Sequence, residues 1–162
     1  AFDNFLKDRA KAAGAKILAA VSYGKELNHI LKLLGVRVYK SVKDKEFIRI
    51  CRGSDLLLSV HGREIVGSDL LARPKLKSVN IHPYLYKYKG VDPVGRALKD
   101  KEFYASVGAH IMEKKVDAGK VLIEEFVDVS GARGVEEIYN RLYPYYSEVI
   151  LKLLSAISKK YK

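Results

Sequence analysis

Asn80 and His82 stand two residues apart in the run Ser78-Val79-Asn80-Ile81-His82-Pro83, at the end of an apolar stretch that reads as a β-strand. Strand alternation sends both side chains to the same face. Pro83 cannot continue a central strand, so the imidazole sits at the rim of a sheet. Further on, Val116-Asp117-Ala118-Gly119 places a carboxylate in a turn between two more apolar runs. A carboxylate beside a histidine favours the charged ring and fixes its orientation. An amide donor next to a cationic imidazole can stabilise an oxygen that gains negative charge, which is the chemistry of acyl transfer. On spacing alone, the same residues also suit a purely structural role.

The elements that must hold these residues follow from hydrophobic periodicity. Asp3 to Ala13 predicts an amphipathic helix ended by Gly14, and Lys16 to Ser22 a short strand covered on both faces. Glu26 to Leu34 predicts a helix, Val36 to Val42 a strand, Asp44 to Arg52 a helix and Asp55 to Val60 a buried strand. A short helix around Asp69 to Ala72 and a strand over Leu76 to Ile81 come next. Tyr104 to Met112 and Val121 to Val129 read as longer strands joined by a polar turn, and Val135 to Ile157 as a closing helix. This alternation predicts an α/β fold with an open, mostly parallel sheet and helices on both faces. Ligands of such sheets lie beyond the carboxyl ends of the strands, here Ser22-Tyr23-Gly24, His61-Gly62-Arg63 and Asn80 to Pro83.

The whole chain of 162 residues suits one domain, residues 1–162, with 48% hydrophobic and 30% charged residues. One cysteine, Cys51, excludes an intramolecular disulfide and a multi-cysteine zinc site. The four histidines form no zinc-binding spacing, so no metal is expected. No apolar run is long enough to span a membrane and no signal peptide is visible, so a soluble cytoplasmic protein is expected. Thirty Lys and Arg against nineteen Asp and Glu leave a net charge of +11. That field attracts phosphorylated or polycarboxylate ligands and, without specificity, nucleic acid; a Lys-rich solvated surface is the simpler alternative.

Five ordered blocks go further: Asp55 to Val66, Val79 to Pro83, Tyr88 to Val94, Ser106 to Met112 and Val116 to Leu122. Together, over about residues 16–145, they resemble the folate-dependent formyltransferase family. That family includes glycinamide ribonucleotide, methionyl-tRNA and sugar-amine formyltransferases and formyltetrahydrofolate deformylase. The resemblance implies that Asn80, His82 and Asp117 are catalytic and that 10-formyltetrahydrofolate is the co-substrate. Asn80 and His82 would hydrogen-bond the formyl oxygen, while Asp117 supports the charged His82 and helps relay the amine proton. The pterin would lie against Arg63, Glu64, Ile65 and Val66 and against Val116, Ala118 and Gly119. The acceptor amine would meet the loop carrying Tyr84, Tyr88, Lys89 and Gly90.

This sequence departs from the family in two places. After His82-Pro83 the loop reads Tyr84-Leu85-Tyr86-Lys87-Tyr88-Lys89-Gly90, shorter by one residue and richer in Tyr and Lys than the family's usual run. Interleaved Tyr and Lys would suit a nucleotide-linked acceptor. Lys16 to Ser22 matches the family's second strand, and neither the first strand nor its Gly-rich phosphate turn precedes it. The expectation is an incomplete copy of a longer chain, with direct pairing of Lys16–Ser22 to Asp55–Val60 as the alternative. Arg141-Leu142-Tyr143-Pro144 resembles the run that introduces the last helix of the ribonucleotide enzyme, whereas Gly90 to Val94 is closer to the transfer-RNA and sugar enzymes. The first expectation is a formyltransferase for a small phosphorylated or nucleotide-linked amine, nearest the ribonucleotide enzyme. A transfer-RNA or sugar-amine enzyme, a deformylase and a non-catalytic folate- or nucleotide-binding relative are the alternatives. Nucleic acid is not the favoured partner, and oligomeric state is left open.

Overall fold

The computed structural model describes residues 14–160, so the helix expected over Asp3 to Ala13 lies outside the described residues. The order of elements is β1 (Ala19–Val21), α1 (Lys25–Leu33), β2 (Arg37–Tyr39), α2 (Lys45–Gly53), β3 (Leu56–Val60), α3 (Ser68–Leu71), β4 (Lys77–Pro83), α4 (Pro93–Lys99), β5 (Tyr104–Ile111), β6 (Val121–Asp128) and α5 (Val135–Lys160). Two sheets carry the strands, β1-β2 and β3-β4-β5-β6. The α/β class expected from the alternation is the one observed.

The described residues gather into two compact units, 14–57 with Gly62–Ser78, and Leu58–His61 with 79–160. In the first, β1 and β2 pair in parallel, Ala19 opposite Arg37. Asp44 caps α2, its side chain accepting from the amides of Glu46 at 2.9 Å and Phe47 at 3.2 Å. The apolar stripe of α2 then delivers Phe47 and Cys51 to a core with Leu70, against which Val21, Leu57 and Val66 pack. The expectation that Lys16 to Ser22 is covered on both faces needs correction. Only Ala19–Val21 is extended, and Ile17 and Leu18 are exposed. Ile17 and Leu18 precede the strand itself, and among the described residues β1 pairs with β2 alone. Direct pairing of β1 with β3 does not occur among the described residues.

The second unit is built on antiparallel ladders. β4 pairs with β5, placing Asn80 opposite His110 and His82 opposite Gly108, and β5 pairs with β6. Helix α5 lies on β5 and β6. Ile138, Leu142, Tyr146, Val149 and Leu153 recur at helical spacing and are buried, meeting Val107, Ala109 and Val127 in the core. Helix α4 was not anticipated, although Asp92-Pro93 carries its start signal: Asp92 accepts from the Gly95 amide at 3.2 Å, and Pro93 takes the first turn, where an amide is unneeded. Pro144 lies inside α5, within the closing helix expected from Val135 to Ile157.

Candidate active site

The second unit brings Asn80, His82 and Asp117 together and adds His110. Asn80 and His82 face the same way near the end of β4, and the antiparallel register places His110 directly across from Asn80. The Asn80 amide nitrogen is 3.4 Å from His110 Nε2. Asp117 enters from the turn between β5 and β6, with a left-handed backbone at φ 51°. Its Oδ2 is 3.0 Å from His82 Nε2 and its Oδ1 is 3.2 Å from His110 Nε2, so one carboxylate bridges two imidazoles. The Gly90 amide donates to Asp117 Oδ2 at 2.8 Å, while the Gly90 carbonyl lies 3.2 Å from His82 Nε2.

This arrangement dictates how the polar groups are committed. Asp117 is buried, a position that by itself disfavours a charged carboxylate. Hydrogen bonds from His110, then from His82 and the Gly90 amide, outweigh that burial and hold its carboxyl well below the usual carboxylate range. Nε2 of His82 faces two acceptors, Asp117 and the Gly90 carbonyl, and so acts there as a donor. Its Nδ1 is buried with no partner among the described residues. A buried, uncommitted ring nitrogen costs stability unless something binds to it. His110 directs Nδ1 to the Ile111 carbonyl at 2.9 Å and Nε2 to Asp117, again two acceptors.

The residues expected to surround the co-substrate divide by environment. Ile65, in the first unit, is 80% exposed, and Val116, in the second, is 60% exposed. Ala118 is exposed. Val66 packs into the first unit's core. Glu64 accepts from Ser41 Oγ at 2.6 Å, from the Tyr23 hydroxyl at 2.5 Å and from the Val42 amide at 3.3 Å, so its carboxylate pins loops of the first unit. Arg63 lies 5.5 Å above the Tyr23 ring. Gly119 is buried, and a Cβ there would overlap the Ile111 carbonyl, which explains glycine in this turn without a ligand.

The acceptor loop corrects part of the expectation. Tyr84 and Tyr88 are buried, their rings edge to face at 5.7 Å. The Tyr88 hydroxyl donates to Asp100 at 2.5 Å and reaches Glu102 at 3.1 Å. These two rings pack the loop from within and present no face to stack on an acceptor. Lys89 is exposed, and Gly90 is held by Asp117 and His82. His110 was missed as a site residue. A histidine in a strand whose other residues, Ser106 and Tyr104 apart, are small or apolar was its signal, and its meaning depends on a cross-strand register that one sequence does not display.

A formyl transferase family model matches residues 7–154. The chain belongs to that family. Methionyl-tRNA formyltransferase of Thermotoga maritima is 24% identical over 151 residues, covering 93% of this chain and 48% of that protein. The chain thus spans about half the length of this relative. Among solved structures, the phosphoribosylglycinamide formyltransferase of Anaplasma phagocytophilum superposes with a TM-score of 0.83 at 19% identity, covering 98% of this chain and 82% of that one. The Bacillus halodurans phosphoribosylglycinamide formyltransferase gives 0.80 at 17% identity, covering 99% and 92%. At these identities the structural likeness concerns the fold.

Proposed function

We propose that this formyltransferase-family chain moves a formyl group from 10-formyltetrahydrofolate to a primary amine, with Asn80, His82 and Asp117 as its catalytic residues and His110 as their positioning partner. The observation that carries this reading is the Asp117 carboxylate bridging His82 and His110 beside Asn80. The folate supplies an activated formyl carbon. His82 in its charged form, steered by Asp117 through Nε2, donates its Nδ1–H to the formyl oxygen as that oxygen gains charge. Asn80, its side-chain amide beside His110, carries an NH₂ that can donate to the same formyl oxygen. Asp117, kept ionised, orients His82 and helps relay the proton released by the attacking amine, through one water, to the folate nitrogen as its bond to the formyl carbon breaks. Val116, in the turn that carries Asp117, provides apolar surface for the pterin.

For the acceptor, we favour a small phosphorylated amine of the glycinamide ribonucleotide type, which would place the chain in purine biosynthesis in the cytoplasm. The net charge of +11 supports an anionic acceptor. A methionyl-tRNA acceptor is the second reading, favoured by the Thermotoga maritima relative. The test is to incubate the protein with 10-formyltetrahydrofolate and, in turn, glycinamide ribonucleotide, an amino-sugar nucleotide and methionyl-tRNA, and to detect the formylated product by mass. Formylated glycinamide ribonucleotide is the expected result. Formyl-methionyl-tRNA alone would select the second reading, and formate released without any formylated amine would make the chain a deformylase.

A further inference from the structure

The structure assigns Arg96 a positioning role: its guanidinium clamps both ends of the turn Lys89-Gly90-Val91-Asp92, and so fixes the one residue whose backbone touches both His82 and Asp117. This rests on the catalytic reading of that pair. Arg96 lies on the first exposed turns of α4, away from the reacting groups. Its Nη2 donates to the Lys89 carbonyl at 2.6 Å, and its Nε reaches the Asp92 carbonyl at 3.4 Å. The same guanidinium sits 5.6 Å from the centre of the Tyr88 ring, a ring tied at its far end to Asp100 and Glu102.

Between the two clamped carbonyls, Gly90 has its N–H on Asp117 Oδ2 and its C=O on His82 Nε2. Both interactions come from one residue with a left-handed backbone, φ 84°, in a turn whose next side chain, Val91, is 90% exposed. Such a turn has little packing of its own; at its Asp92 end the Arg96 amide at 3.1 Å and the Asp92 cap on Gly95 already tie it to α4, and at its Lys89 end the Arg96 guanidinium completes the hold. A planar guanidinium can hold two carbonyls and stack on a ring at once, whereas the point-like ammonium of lysine cannot. Loosening the fork lets Gly90 rotate and releases a donor from Asp117 and an acceptor from His82 together.

The experiment compares wild-type protein with Arg96→Ala, Arg96→Lys and, as a control on the same helix, Lys99→Ala. Amide exchange at Gly90 is followed by NMR relative to the core amide of Ile81, and formyl-transfer kinetics are measured in parallel. In Arg96→Ala the Gly90 amide is expected to exchange at least ~10-fold faster against the Ile81 reference. Arg96→Lys should fall between, and Lys99→Ala should match wild type. Misplaced reacting groups can cost on the order of 10²-fold, so kcat should drop by about that factor in Arg96→Ala, with KM for the folate little changed. Unchanged Gly90 exchange in both Arg96 variants overturns the proposal, as does a loosened Gly90 with wild-type kcat. If the wild-type protein formylates no amine, the catalytic reading fails, and the Gly90 comparison still decides whether Arg96 clamps the turn.

Discussion

Asp117 is the residue on which the chemistry turns, and its environment has a consequence for stability. Its folded-state acidity is strengthened by His110, His82 and the Gly90 amide, so the ionised form is favoured by folding. A carboxylate of this kind contributes its full stabilisation above the unfolded value of about 3.9 and loses it as pH falls toward the lower folded value. From pH 7 to 5 it therefore adds no pH dependence. Below about pH 4 the thermal midpoint of the wild-type protein should fall more steeply than that of Asp117→Asn, narrowing the gap between them. Melting curves from pH 6 to 3 check this, and a constant gap would contradict it. Tyr88 makes the opposite kind of statement. Burial and the Asp100 carboxylate push its hydroxyl up to about 12, so it remains a donor throughout. Tyr88→Phe should cost about 1–3 kcal/mol by leaving the hydroxyl's partners unmet. The acceptor KM should stay close to wild type, and a large rise in that KM would return Tyr88 to the binding surface.

The elements differ in how plainly they could be read, and the differences have physical causes. The β5–β6 hairpin was legible because two long apolar runs flank a polar turn, and α2 because Asp44 precedes an apolar stripe at helical spacing. Asn80, His82 and Asp117 were legible as candidates because strand alternation and a turn carboxylate are local signals. Helix α4 is only Pro93–Lys99, too short for periodicity to stand out, so its Asp-Pro start signal was passed over. Tyr84 and Tyr88 were expected to face the acceptor because the resemblance puts their loop there, yet the lysines of that loop are exposed while both rings are buried. His110 required the β4–β5 register, which arises from pairing over a separation of thirty residues. The turn that delivers Asp117 has its own constraint at Gly119, where a Cβ would run into the Ile111 backbone. Gly119→Ala should destabilise the protein by about 1–3 kcal/mol through that overlap. Chemical denaturation measures this, and unchanged stability would show that the turn relaxes freely.

For the whole molecule, charge separates the two acceptor readings. Binding of a transfer RNA by a chain of net charge +11 would weaken steeply with salt, because every phosphate neutralised releases counterions. A small phosphorylated amine carries few charges, so its KM should rise only mildly between 50 and 200 mM salt, whereas a transfer-RNA acceptor making several phosphate contacts should lose about 10³-fold or more. Steady-state kinetics at the two ionic strengths, with each acceptor, tell them apart. Both readings share one catalytic claim, that the carboxylate bridging His82 and His110 drives formyl transfer. The most direct measurement is the rate of tetrahydrofolate formation from 10-formyltetrahydrofolate and the accepted amine, in wild type, Asp117→Asn and Asp92→Asn. Asp92 caps α4 through the Gly95 amide, a role asparagine also fills, so its variant should stay near wild type. Asp117→Asn should be slower by ~10²–10³. Equal losses in the two variants, or an Asp117→Asn protein as fast as wild type, would contradict the account.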